Sequence, residues 1–183
     1  MRFTLIKRSY DNKDMILDVL KSLLGVSLKY RENERYLVFY HNHNIVEIEQ
    51  VLSALSDAMM FPLLGYTSRD IDDDKLKVEL DIASELIEDL PYNMYDLKQA
   101  LLVKTNITNK RRILDFILDS TGITEDFIKD FVQYDLNTSK ASKAMYIHRN
   151  TMLYKLDKLY DISGFDLRSF KDAYVLYSLI ESK

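Results

Sequence analysis

The sequence predicts an α+β fold in two parts, a ferredoxin-like sandwich followed by an all-helical region. Three observations predict it. Strand and helix patterns alternate as β-α-β-β-α-β over about the first 65 residues, the order of a split βαβ sandwich. After Tyr66 the apolar spacing becomes helical throughout. No internal repeat, low-complexity tract or Gly/Ser-rich linker interrupts the chain. We therefore expect an α+β domain over residues 1–70, a helical connector over 71–122 and a second domain over 123–183. The two domains should pack closely, joined by a helix over 72–90.

Each element follows from local pattern. "RFTLIK" reads as a strand, and Met15, Ile16, Val19, Leu20 and Leu23 fall on one face of a helix. Val26, Leu28 and Tyr30 alternate with Ser27 and Lys29, as in a half-buried strand. "RENE" turns the chain into "RYLVFY", whose unbroken apolar run suits a central strand. Ile45, Ile48, Leu52, Leu55 and Met59 mark a second helix. "FPLLGY" is a short strand with Pro62 near its start or on an edge. Leu76, Leu80, Ala83, Ile87 and Leu90 define a long amphipathic helix that carries the acids of residues 70–74 at its start and ends at Pro91. Further helices are expected over 94–103, 111–118, 125–134, 139–145, 149–160 and 169–180, with Gly122 and Gly164 at junctions.

Composition narrows the chemistry. The absence of cysteine removes disulfide and thiolate functions and suits a reducing compartment. The first residues turn polar too soon for a signal peptide, and no run reaches membrane-span length, so a cytoplasmic protein with no membrane partner is expected. "YHNHN" places His41 and His43 two apart at a strand end, but no cysteine or third ligand accompanies them; polar loop residues are the simpler reading. Asp70, Asp72 and Asp74 have calcium-loop spacing, yet Lys75 stands at the sixth position in place of Gly and Asp81 at the twelfth in place of Glu. Helix-start acids are expected there. No Walker, Ser-His-Asp or Gly-rich constellation is present in a chain with four glycines, so no enzyme, cofactor or metal is expected.

The charge is unevenly spread. The whole chain carries −4, but residues 137–158 hold Lys140, Lys143, Arg149, Lys155 and Lys158 against the single Asp157, a local +4 on a remainder at −8. An acidic body with one basic patch fits a focused contact with nucleic acid. The patch coincides with "NTSKASKAMYIHRNTMLYKLDKLY", which reads as two helices and a tight turn. Asn137 or Thr138 can cap the first helix; Ala141, Ala144 and Met145 are inward positions, and Ile147 plugs the turn. Met152, Leu156 and Leu159, at i, i+4 and i+7, form the buried seam of the second helix. His148, Arg149, Asn150, Thr151 and Tyr154 then occupy its outward N-terminal end, with Lys155 and Lys158 further along and Ser139 and Lys140 on the first helix. This is the pattern of a DNA-reading helix-turn-helix. Arg can pair with guanine and Asn with adenine, while Lys, Thr and backbone N–H groups can hold phosphates.

The run "NTSKASKAMYIHRNTMLYKLDKLYDISGFDLRSFKDAYVLYSLI" resembles the C-terminal helix-turn-helix of PucR/CdaR-type transcriptional regulators, across residues 123–181. "IHRNTMLYKL" and "SGFDLRSFKD" carry the resemblance, and the turn-helix pattern is also similar to Fis-type DNA-binding domains. Leu153 stands where a basic residue is common in the family, Lys155 where Arg is usual and Ser142 where Ala is usual. More weakly, "ERYLVFYHNHNIVEIEQVLSAL" and "FPLLGYTSRDIDDDKLKVELDIASELI" resemble the central domain of CdaR-type regulators, a degenerate relative of the GGDEF fold, with Gly65 and Ala83 at matching places. "RENERY" lacks the paired glycines and acids of GGDEF catalysis, and the chain leaves no room for the sensor domain that usually comes first. The resemblance implies a regulator that binds double-stranded DNA, as a homodimer because one such unit reads too short a site, and that answers to an unknown effector. The alternative is a protein-interaction or ligand-sensing module with a vestigial helix-turn-helix, which an outward Leu153 would favour.

Overall fold

A computed structural model describes residues 1–7, 13–24, 29–32, 35–43, 45–60, 62–70 and 72–181. The chain divides into two compact units, Met1–Ala100 and Leu101–Lys183.

The first unit is built on a mixed sheet. Its elements are β1 (Arg2–Lys7), α1 (Lys13–Leu24), β2 (Lys29–Glu32), β3 (Tyr36–His41), α2 (Ile45–Met59), β4 (Gly65–Thr67), α3 (Leu76–Leu86), a 3-10 turn (Ile87–Asp89) and β5 (Met94–Tyr95). The spatial order is β2-β3-β1-β4-β5. The first four strands pair antiparallel, as the β-α-β-β-α-β reading requires, and β5 adds parallel to β4 at the edge. One face of the sheet presents Ile6, Leu37 and Phe39 to Ile16, Leu17 and Leu20 of α1 and to Ile48, Leu52 and Leu55 of α2. The other face carries Phe3, Leu5, Val38 and Tyr66, all buried, and α3 lies across it. Helices on both faces explain why β1 and β3 are apolar without alternation. At Gly65 the strands approach so closely that a Cβ would stand 2.6 Å from the Leu5 carbonyl oxygen, which no larger residue tolerates.

Several sequence expectations shift. Met15 is exposed and Leu17 takes the inward place in α1. Val26, Leu28 and part of "RENE" lie outside the described residues, and Arg31 and Glu32 belong to β2. The strand in "FPLLGY" begins only at Gly65, three residues after the exposed Pro62. The segment expected as one helix over 94–103 opens with β5 and becomes helical only in α4 (Leu97–Val103), because Met94 and Tyr95 pair with Gly65 and Tyr66. The helix expected over 72–90 spans only Leu76–Leu86, and Leu90 is extended before Pro91 (φ −83°, ψ 154°), as a residue preceding proline prefers. Of the expected inward set, Leu76, Ala83, Ile87 and Leu90 are buried and Leu80 is half-buried, and Glu79, Ile82 and Leu86 are buried beside them. Far from bridging two parts, α3 lies within the first unit. The segment expected as a connector is thereby divided, with the boundary inside α4.

Several buried polar side chains in this unit have partners within it. Tyr66 Oη donates to Glu79 Oε1 at 2.6 Å. Burial lifts the Glu79 carboxyl to about 7 and pushes the Tyr66 phenol up as well. His41 is a buried strand residue, not a loop residue: its Nε2 meets Thr4 Oγ1 at 2.9 Å, and burial holds the imidazole down to about 4. His43 instead faces Glu47, at 3.5 Å. Asp70 pairs with Arg2 across 3.7 Å, and α3 starts on Lys75 without a side-chain cap, so the acids of residues 70–74 do not cap the helix.

The second unit is helical: α5 (Lys110–Thr121), α6 (Glu125–Gln133), α7 (Thr138–Ala144), α8 (Arg149–Ser163) and α9 (Phe170–Ile180). Gly122 and Gly164 close α5 and α8 in left-handed conformation, with φ 69° and 80°, the region glycine enters without strain. Its core is formed by Ile113, Leu114, Ile117, Phe127, Phe131, Met152, Leu156, Leu159, Phe165 and Leu176, all buried.

Candidate nucleic-acid interface

The two helices expected in the basic patch are α7 and α8, and α8 packs against α7 and α5. Asn137 is the N-cap of α7: its Oδ1 accepts from the backbone N–H groups of Ser139 and Lys140, both at 3.0 Å. Those two N–H groups are therefore engaged within the protein, and Ser139 and Lys140 can reach a ligand only through their exposed side chains. Lys140 Nζ sits 3.0 Å from Asp135 Oδ2, an exposed pair of the kind that exchanges partners at little cost. Inward from α7 go Ala141 and Ser142, while Ala144 and Met145 are half-buried. The Ser142 hydroxyl donates to the Ser139 carbonyl at 3.3 Å, so this inward hydroxyl is satisfied locally.

The chain turns through Met145, Tyr146 and Ile147 into α8. The Ile147 N–H reaches back to the Ser142 carbonyl at 3.0 Å and the Tyr146 N–H to the Lys143 carbonyl at 3.3 Å. These two bonds form a Schellman closure. His148 is the N-cap of α8, its Nδ1 accepting from the Asn150 N–H at 3.2 Å. Met152, Leu156 and Leu159 are buried without exposed surface, as the spacing requires, and His148, Arg149, Asn150, Thr151 and Tyr154 are all exposed. Four consecutive polar residues thus open a 15-residue helix at its positive end.

Not every expected residue joins them. Lys155 is half-buried with its Nζ 5.6 Å from the centre of the Phe127 ring, a cation–π contact within the unit. Lys158 is also half-buried, its Nζ 3.3 Å from where a Cβ at Gly122 would stand, at the negative end of α5. Spacing could have shown the first: Lys155 is i+3 from Met152 and i−4 from Leu159, on the edge of the buried seam. Leu153 is half-buried, less exposed than its neighbours Thr151 and Tyr154. Two residues outside the expected contact set stand beside it: Lys143, which the sequence marks only as part of the patch charge, and Tyr146. Lys143 is exposed at the end of α7, and Tyr146 is 96% exposed in the turn. Further along α8, Asp157 and Asp161 share the side of Asn150 and Tyr154; Asp157 is paired with Arg168 at 2.9 Å. Carboxylates there confine an anion-binding surface to the first turns of the helix.

Residues 127–181 match the family model of the PucR C-terminal helix-turn-helix domain. The chain is 30% identical over 64 residues to the Carbohydrate diacid regulator of Escherichia coli (strain K12), covering 35% of this chain and 17% of that protein. It is 36% identical over 50 residues to the protein YxkF of Bacillus subtilis (strain 168), covering 27% and 17%. Each alignment thus spans 17% of its relative's length. A crystal structure of the Regulator of Polyketide Synthase Expression from Bifidobacterium adolescentis aligns with 98% of this chain and 78% of its own, at 16% identity and a TM-score of 0.45. Among the described residues no helix is long and apolar enough to cross a membrane. The match to the PucR C-terminal helix-turn-helix domain thus rests on residues 127–181, which run from within α6 through α9.

Proposed function

We propose that the chain is a transcriptional regulator that binds double-stranded DNA through α7 and α8 as a homodimer. The observation that carries the reading is the exposure of Arg149, Asn150 and Thr151 over the first turn of α8, while Met152, Leu156 and Leu159 fix the opposite side in the core. That arrangement supports entry of the N-terminal end of α8 into a major groove, with Arg149 and Asn150 at base edges and Thr151, Lys143 and Lys140 toward phosphates. Two copies related by a two-fold axis would read half-sites about 34 Å apart. A small-molecule effector would find a polar cleft of about 350 Å3 in the first unit, lined by Glu49, Ser53, Ser56, Asp57, Asn93 and Gln99. Binding to duplex DNA measured over a salt series tests the reading. Arg149→Ala should weaken specific binding by about 1–3 kcal/mol; unchanged affinity would remove Arg149 from the base-reading set.

A second reading, a protein-interaction module, rests on α9. Phe170 and Tyr174, 75% and 65% exposed, stack on each other with ring centres 6.3 Å apart. Exposed aromatics of this kind suit a protein contact. Retention of a partner protein by a chain that ignores DNA at low salt would favour this reading.

A further inference from the structure

The Schellman closure of α7 requires a left-handed residue at position 146, and the chain places a tyrosine there with φ 53°. Glycine is the residue that enters this region freely, and the same unit uses glycine at the left-handed ends of α5 and α8. Asn109 and Asp135, also left-handed, have short polar side chains that tolerate it, and Leu136 is half-buried. Tyr146 differs from these, and shares its exposure with Met60 of the first unit (φ 48°, 95% exposed); what sets it apart from Met60 is the exposed Lys143, His148 and Arg149 beside it in the chain. The Tyr146 side chain is 96% exposed, so a strained backbone carries a large aromatic ring that the fold does not bury. Strain without a local return points to a contact outside the molecule.

The position identifies that contact. Tyr146 lies between the exposed Lys143 at the end of α7 and the exposed His148 and Arg149 at the start of α8. It is in the turn, ahead of the residues that would meet base edges, where the sugar-phosphate strand beside the groove would run. A phenol offers one neutral donor, suited to a phosphate oxygen. We propose that Tyr146 is a DNA-backbone contact whose hydroxyl donates to a phosphate flanking the groove entered by α8; this rests on the DNA-binding function proposed above. Because the contact is neutral, it adds affinity for every sequence and releases no counterion.

Two variants of the full chain test it against a pool of random-sequence duplexes and against duplexes selected from that pool. Tyr146→Phe keeps the ring and removes the donor. It should weaken binding roughly five- to ten-fold on all sequences alike, with the slope of affinity against salt unchanged. Tyr146→Gly should bind no better than the Phe variant, yet melt no lower than wild type. Wild-type affinity in both variants overturns the proposal while leaving the DNA-binding reading intact. So does a loss confined to particular base sequences, or a marked fall in melting temperature for the Gly variant, which would make the ring a structural element. A wild-type chain that ignores every duplex at low salt overturns both readings together.

Discussion

The Nδ1 of His148 accepts a hydrogen bond from the backbone N–H of Asn150 at 3.2 Å. The nitrogen that caps α8 must be unprotonated, which places the ring proton on Nε2 and leaves that nitrogen as the donor available to a ligand. His148 therefore has a structural task besides any part in recognition. His148→Ala should destabilise the chain by about 1 kcal/mol in urea unfolding, whereas His148→Asn, a good N-cap, should be close to neutral. Equal stability in the two variants would mean that the cap contributes nothing.

Five basic side chains mark the patch in the sequence, but the structure sorts them. Lys143 and Arg149 are exposed, while Lys155 lies over Phe127 and Lys158 beside the end of α5. Substituting Lys143 or Lys140, both proposed to face phosphates, by Met should lower the slope of log affinity against log salt by about one each. The same change at Lys155 or Lys158 should leave the slope within error and show instead as a loss of stability. A slope that responds equally to all four would place Lys155 and Lys158 on the DNA after all.

On the outward side of α8, Arg168 Nη1 holds Asp157 Oδ1 at 2.9 Å and its Nε holds Asp166 Oδ1 at 2.7 Å. Such an exposed pair contributes little to stability, but it neutralises a carboxylate on the side proposed to approach phosphates. Arg168→Ala should therefore weaken DNA binding several-fold at low salt with little change in melting temperature. Adding Asp157→Asn should restore most of the loss. Failure of that rescue would mean that Arg168 acts on DNA directly.

Glu79 sets a pH dependence in the first unit. Burial raises its carboxyl from the ordinary 4.5 to about 7 in the folded chain, with Tyr66 bonded to it. Between those values the folded state holds the proton more firmly than the unfolded one. The resulting stability is complete below about pH 4.5 and is lost as pH rises through about 7. His41 works in the opposite sense: held down to about 4 from 6.5, it favours the folded chain above 6.5 and disfavours it as pH falls through that interval. Hydrogen exchange at the amides of β1 and β3, corrected for intrinsic rates, should show the Glu79 contribution to protection declining between about pH 4.5 and 7 and flat above that, with His41 working against the decline below 6.5. Glu79→Gln should remove that decline; an unchanged profile would show that Glu79 ionises in the fold without cost.

Much of this arrangement was legible in the sequence because it follows from periodicity. The i, i+4, i+7 spacing of Met152, Leu156 and Leu159 put the seam of α8 in place, and with it the outward position of Arg149, Asn150 and Thr151. The β-α-β-β-α-β order likewise emerged from pattern, and the sheet order agrees with it. What escaped depends on partners distant in sequence. Lys155 finds Phe127, Glu79 finds Tyr66, and Met94 and Tyr95 become a strand only beside Gly65 and Tyr66. Residue spacing carries no record of those partners. Tyr146 escaped for another reason: nothing in its residue type announces a left-handed backbone, which comes from the closure of α7.

Base reading by the first turn of α8 can be measured by selection from random duplexes, run in parallel with wild type and Asn150→Ala. Wild type should enrich a two-fold-symmetric site with half-sites about one helical turn apart, and the variant should lose discrimination at a single, symmetry-related position in each half-site. Enrichment of the same site with the same stringency by both proteins, or no enrichment by wild type, would contradict base reading by α8.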